Sequence, residues 1–160
     1  MQIRVGFGYD VHQLAAGRRL VLGGVEFTHE KGSVAHSDGD VLIHALCDAL
    51  LGAANLRDIG YHFPDNSGEF KDISSLILLE RTMKLIRDAG WELSNADTTL
   101  VLEKPRIGRM VPQMAETLAG AMGTDAANIS IKATTQEKMG FVGKEKGVIA
   151  YATVLITRNS

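Results

Sequence analysis

The stretch DVLIHALCDALLGAA, residues 40–54, restricts the possible folds more than any other part of the chain. Leu42, Ala45, Leu46, Ala49, Leu50 and Ala53 recur at helical spacing and form one apolar stripe. Val41, Ile43, Cys47 and Leu51 carry apolar surface round the other faces, so the helix needs cover on nearly every side. His44 projects about 200° from Leu42 at 100° per residue, with Asp40 and Asp48 one turn away on either side. A histidine among carboxylates on such a helix requires polar partners. Either Asp38 or Asp40 can cap the N-terminus. Cys47 is the chain's one cysteine, which excludes an internal disulfide and suits a reducing compartment. Its place in the apolar run marks it as a packed, inert thiol.

The rest of the chain alternates strand and helix around this segment. IRVGFGY (3–9) reads as a first strand, and RRLVLGGVEFTH (18–29) as a hairpin turning at Gly23-Gly24. A second helix is expected over 75–89, after Ser74 and stopped by Gly90, and a third over 111–122 with Pro112 in its first turn. ADTTLVLE (96–103), NISIKATT (128–135) and GVIAYATVLIT (147–157) supply the later strands. Residues 60–72 and 136–147 read as loops. This order predicts an α+β two-layer sandwich, a mixed sheet with helices packed on one face. VIAYATVLI is apolar on both sides, so the opposite sheet face needs a partner and self-association is expected. With 160 residues the chain suits a single catalytic domain, 1–160. A domain of that size buries roughly 70% of its unfolded surface.

A formal net charge of −2 argues against a nucleic-acid binder. A polyanionic small ligand stays possible where basic groups or bound cations neutralise it. The start, MQIRVGFGYD, shows no apolar core of a signal peptide and no transit-peptide bias. No run approaches the ~20 apolar residues of a membrane helix. The expected location is a bacterial cytoplasm, away from membranes.

GFGYDVHQL, residues 6–14, places Asp10 and His12 where the first strand is expected to run out. Period-two geometry sends both to one side of an extended backbone. With His44 they make a two-histidine, one-carboxylate set, which suits zinc with a fourth position open for substrate. A wet, polar strand end is the plainer alternative. AHSDGD (35–40) gathers His36, Ser37 and Asp38 before a helix N-terminus, where backbone N–H groups bind phosphate or are simply capped. KATTQEK (132–138) ends a strand with Thr134, Thr135 and Glu137. There hydroxyls can donate to phosphate and a carboxylate can hold magnesium, or the threonines are merely an edge-strand pair.

GFGYDVH, LGGV, KGSVAHSDGDVLIHALCDALLGAA, LRDIGYHFPD, KPRI and IKATTQEKMGF together resemble the 2-C-methyl-D-erythritol 2,4-cyclodiphosphate synthase family of non-mevalonate isoprenoid biosynthesis. The resemblance covers essentially the whole chain, in order. It implies a lyase that cyclises 4-diphosphocytidyl-2-C-methyl-D-erythritol 2-phosphate and releases CMP. By resemblance, Asp10, His12 and His44 hold one zinc ion per subunit, and Glu137 helps hold Mg2+ or Mn2+ on the substrate diphosphate. His36 and Thr135 match catalytic positions that orient phosphates, and Ser37 a neighbouring phosphate contact. Asp58, Ile59, Gly60, Phe63, Pro64 and Asp65 match the loop around the methylerythritol. Leu102, Lys104, Pro105, Arg106, Ile107 and Gly108 match the cytidine segment, with Thr134 beside the nucleotide phosphates. Phe141 and Lys144 complete the substrate-binding set.

The family is a homotrimer with active sites between subunits, which answers the uncovered sheet face. Where it commonly reads GFxGRGEG, this chain reads GFVGKEKG (140–147). Lys144 thus stands for an arginine beside a central hydrophobic cavity that accepts isoprenoid diphosphates. Lysine keeps the charge but loses the bidentate geometry, so only weak isoprenoid diphosphate binding is expected. The competing reading is a non-catalytic trimeric binder of nucleotide or isoprenoid diphosphate. An inactive relative would lose metal or threonine positions, and all are present here.

Overall fold

The first strand runs well past the residues that announce it. β1 spans Gln2–Ala16 because it has hydrogen-bonding partners to its end: β7 (Gly147–Arg158) pairs with it from Gln2↔Arg158 to Gln13↔Gly147, and β4 (Lys31–Val34) takes over at Gln13–Ala16. Asp10 and His12 therefore sit within a paired strand, not at a loose end. The computed structural model describes residues 1–64, 68 and 73–158.

The five-stranded sheet has the order β4-β1-β7-β5-β6, where β5 is Glu92–Val101 and β6 is Ile129–Thr134. Only the β5–β6 pair is parallel, so the sheet is mixed. The hairpin of β2 (Leu20–Leu22) and β3 (Val25–Phe27) turns at Gly23 and Gly24, with φ of 59° and 75°, the left-handed values a two-residue hairpin turn needs.

The apolar helix α1, Val41–Ala53, lies across β1 and β7, and α3 (Ser75–Asp88) and the hairpin cover its remaining surface. Its apolar residues are buried all round, as the sequence demands. Close approach is possible because the inward positions of β1 opposite it are Gly6 and Gly8. A Cβ at either would stand 1.9 Å from a backbone oxygen of Ala49 or Ala45. Asp40, not Asp38, is the N-cap. Fully buried, it accepts N–H bonds from Leu42 and Ile43 of α1 and from Gly23 (3.0 Å) and Gly24 (2.6 Å) of the hairpin. Burial pushes the Asp40 carboxyl up to about 6, against the pull of those donors.

α4, Val111–Met122, follows a short 3-10 turn at Gly108–Met110 and ends at Gly123 in the left-handed conformation, φ 62°. Two short helices occupy segments expected to be loops. α2, Ile59–His62, is capped by Asp58, and α5 is Gly140–Gly143. Four residues make one turn, too few to show a helical period.

The face of β1 away from α1 carries Ile3, Val5, Phe7, Tyr9 and Val11, all exposed, with Phe7 at 64%. Tyr151 of β7 packs between its aromatic members, 6.2 Å from Phe7 and 5.4 Å from Tyr9. At the far end of the same strands, Arg4 and Arg158 lie 4.5 Å and 4.6 Å from the ring centre of Trp91. Among the described residues, no helix is long and apolar enough to cross a membrane.

Candidate metal centre

Alternation along β1 aims Gly6, Gly8, Asp10, His12 and Leu14 at α1, and the two glycines let the helix settle onto the strand. His44 is thereby brought down beside the two side chains of β1. Asp10, His12 and His44 each present a ligand atom within 4.8 Å of the others. Asp10 Oδ2 lies 3.1 Å from His44 Nδ1 and 3.6 Å from His12 Nδ1, and the imidazoles meet edge to face at 5.1 Å.

The donor set fits a metal ion. His12 Nδ1 is 2.8 Å from the Val11 carbonyl, the arrangement of an N–H donor, which leaves a lone pair on Nε2. That Nε2 is buried and finds no hydrogen-bond partner among the described residues. A buried nitrogen lone pair beside a carboxylate and a second imidazole is what a zinc ion would satisfy. Desolvation lowers the pKa of His44, but the hydrogen bond and charge of Asp10, with Asp40 and Asp38 behind, outweigh it, and the net shift is upward. The same negative surroundings favour a cation in the gap.

The triad opens into a cleft of about 350 Å³ that also reaches His36, Ser37, Ile59, Gly60 and Phe63. The sequence reading did not assign Asp48, Val34, Ala35, Ile73 or Leu78 to this site. Only Asp48, one turn from His44, carried a signal. Its carboxylate takes the Ile59 N–H at 2.8 Å, which fixes α2 at the cleft edge, and burial raises its pKa. Asp58 caps α2 from outside the cleft, Pro64 is half-buried, and Asp65 lies outside the described residues.

The other expected residues form a separate place. Leu102, Lys104, Pro105, Arg106, Ile107, Gly108, Thr134 and Thr135 line a second, larger cleft of about 1290 Å³ with His29, Glu103 and Arg109. The register carries Val11 of β1 to Ile149, Val101 and Thr134 across the sheet. Thr134 thus stands three strand spacings from β1, roughly 14 Å. Glu103 was missed in sequence because its role is non-local: Oε1 accepts the N–H groups of Gln136 (2.8 Å) and Lys138 (3.2 Å), holding the turn after β6. On that turn Thr135 Oγ1 donates to Glu137 Oε1 at 3.0 Å, and both side chains are exposed. Glu137 takes no part in the triad. Phe141 and Lys144 lie exposed on and just past α5, and Lys104 pairs with Glu145 at 3.4 Å.

The sequence profile of the YgbB family matches residues 3–157. The 2-C-methyl-D-erythritol 2,4-cyclodiphosphate synthase of Bacteroides fragilis is 60% identical over 158 residues, 99% of both chains. Among solved structures, the bifunctional IspDF of Campylobacter jejuni matches with a TM-score of 0.95 at 38% identity. It covers 99% of this chain, which spans 43% of that longer one. The Plasmodium falciparum IspF, solved as a CDP complex, matches with a TM-score of 0.87 at 30% identity, over 99% of this chain and 97% of its own. A triad that suits a metal ion, a cleft of about 350 Å³ beside it and this likeness along the whole chain lead to one assignment. The chain belongs to the YgbB family, the 2-C-methyl-D-erythritol 2,4-cyclodiphosphate synthases, enzymes of the lyase class that serve isoprenoid biosynthesis.

Proposed function

We propose that this chain, as one catalytic unit over 1–160, converts 4-diphosphocytidyl-2-C-methyl-D-erythritol 2-phosphate to the 2,4-cyclodiphosphate and releases CMP. The observation that carries the proposal is the triad of Asp10, His12 and His44, opening into the cleft that also holds His36 and Ser37. An oxygen of the 2-phosphate attacks the β-phosphorus, and the bond from that phosphorus to the oxygen shared with CMP breaks. The nucleophile is already anionic and CMP leaves as an anion, so no strong base is required. What the protein must do is fold the substrate back for in-line attack and offset repulsion between phosphates.

Zinc held by Asp10, His12 and His44, one per subunit, and Mg2+ or Mn2+ held at Glu137 would supply the positive charge that a −2 protein lacks. Ser37 and His36 donate to phosphate oxygens in the first cleft, and Thr134 and Thr135 do so at the second. Asp58, Ile59, Gly60, Phe63 and Pro64 enclose the methylerythritol. Leu102, Lys104, Pro105, Arg106, Ile107 and Gly108 hold the cytidine, and Phe141 borders the diphosphate.

The two clefts are separate within one chain, and we assign them to one active site between neighbours in a homotrimer. The exposed apolar face of β1 and β7 is the surface that would join them. Lys144 then points to the central cavity, where isoprenoid diphosphate binds weakly. Calorimetry on Lys144→Arg should show tighter binding, and unchanged affinity would remove that role. A charged, water-borne substrate fits a cytoplasmic enzyme.

Phosphorus NMR on the protein with zinc, magnesium and the cytidine-linked substrate tests the reaction. A cyclic diphosphate appearing with CMP is the expected result. Linear hydrolysis products would replace the cyclase with a phosphohydrolase, and no turnover would leave only a binder.

A further inference from the structure

The third ligand of the triad is held from behind by a chain of two residues. Ser75, the first residue of α3, is fully buried and donates its hydroxyl proton to Asp38 Oδ1. Asp38 Oδ2 accepts the Ser75 backbone N–H at 2.9 Å, and the Asp38 N–H is tied to the Ile73 carbonyl at 3.2 Å. With its one proton committed, Ser75 Oγ can meet His44 Nε2, 3.0 Å away, only as an acceptor. Nε2 must therefore carry a hydrogen, whether Nδ1 holds a proton or a metal ion. Nδ1 is the nitrogen that faces Asp10, at 3.1 Å.

The same hydrogen reaches Ser37. Its Oγ stands 3.2 Å from Nε2 and accepts the Gly39 N–H at 3.2 Å. With both lone pairs engaged by N–H groups, the Ser37 proton is left to donate, and Ser37 lines the cleft.

We infer that Asp38 and Ser75 are positioning residues that fix the His44 tautomer, offering Nδ1 to the metal ion and turning the Ser37 hydroxyl into a donor toward the cleft. The inference rests on the triad being a zinc site, and it gives the tautomer a physical origin. Asp38 has an ordinary structural use as well, since it caps the first N–H of α3. Two variants separate the roles. Ser75→Ala keeps the backbone N–H bond to Asp38 and removes only the hydroxyl. In Asp38→Asn the amide oxygen keeps the 2.9 Å bond from the Ser75 N–H and gives up the longer 3.2 Å contact that Asp38 Oδ1 accepts from the Asp40 N–H, so the amide nitrogen faces Ser75 Oγ and donates to it. The Ser75 proton is then free to point at Nε2, which reverses the relay and moves the imidazole hydrogen to Nδ1.

The test is zinc affinity by competition with a chromogenic chelator, together with the 15N–1H correlation pattern of the His44 ring and the visible spectrum of the cobalt(II)-loaded protein. Thermal unfolding checks that the variants fold. Ser75→Ala should weaken zinc binding about 10- to 100-fold. Asp38→Asn should weaken it at least as much, shift the ring hydrogen from Nε2 to Nδ1 and perturb the cobalt bands. Wild-type affinity and an unchanged ring pattern in both variants would overturn the relay while leaving the triad in place. If Asp38→Asn does not fold, the same two readings on Ser75→Ala decide the question. Absence of zinc binding in the wild type, or unchanged binding in His44→Ala, would sink the triad and the relay together.

Discussion

Protein neighbours pull His44 two ways, with desolvation working against Asp10, and the net rise in pKa has a sign that can be followed. Protonated His44 stabilises the fold most below its unfolded value of about 6.5, and that contribution is lost as pH climbs through the raised folded value. Zinc binding runs the other way, because a proton on Nδ1 excludes the ion. The gap in Tm between zinc-loaded and chelator-treated protein should therefore widen from about pH 5.5 to pH 8, and parallel curves would remove His44 from the ligand set. Cys47 makes a second residue-level case. Burial pushes its thiol up to about 12, so at pH 8 only about one molecule in ten thousand carries the thiolate. A thiol-reactive disulfide reagent should modify it only as fast as the protein unfolds; rapid modification of the native protein would contradict the packing. The triad was legible in sequence because strand and helix periods both act locally. The orphaned Nε2 of His12 and the Asp38–Ser75 link were not, since each depends on what lies across the fold.

A helix that must be buried can be read from its own residues, but how closely it seats depends on the strand beneath. Gly8→Ala would place a Cβ 1.9 Å from the Ala45 carbonyl oxygen, and α1 would have to lift. The expected cost is about 1–3 kcal/mol in denaturant unfolding, with weaker zinc binding because His44 rides on that helix. Gly52 is the contrast: it lies on the exposed side of α1 with nothing near its absent Cβ. Gly52→Ala should stabilise by about 0.5–1 kcal/mol with zinc affinity unchanged. Loss of stability at position 52, or none at position 8, would mean the helix seats differently. The long helices and most of the strands followed from periodicity, but β4, only four residues long, and the order of the strands in the sheet did not. The reach of β1 to Ala16 did not either, because it is set by pairing with Gly147 and Lys31, far along the chain.

Seen as a whole, the molecule has one sheet face sealed by helices and one left apolar. The sequence showed this through the two-sided apolarity of residues 148–156, but not that Phe7, Tyr9 and Tyr151 would converge there. Under the proposed trimer, Phe7→Glu should leave monomers by sedimentation and abolish turnover, while zinc still binds, since all three candidate ligands lie in one chain. Full activity in a monomer would refute the shared site. At the other end of β1 and β7, the one tryptophan, nearly closed off at 2% exposure, is flanked by guanidinium groups from residue 4 and residue 158. Its emission is therefore a natural beacon for the meeting of the two chain ends. Trimming either terminus past its arginine would uncover the indole and redden the fluorescence, whereas filling the metal site on the far stretch of β1 would leave the colour unchanged. Folding can thus be followed without attaching a dye, and without interference from metal loading.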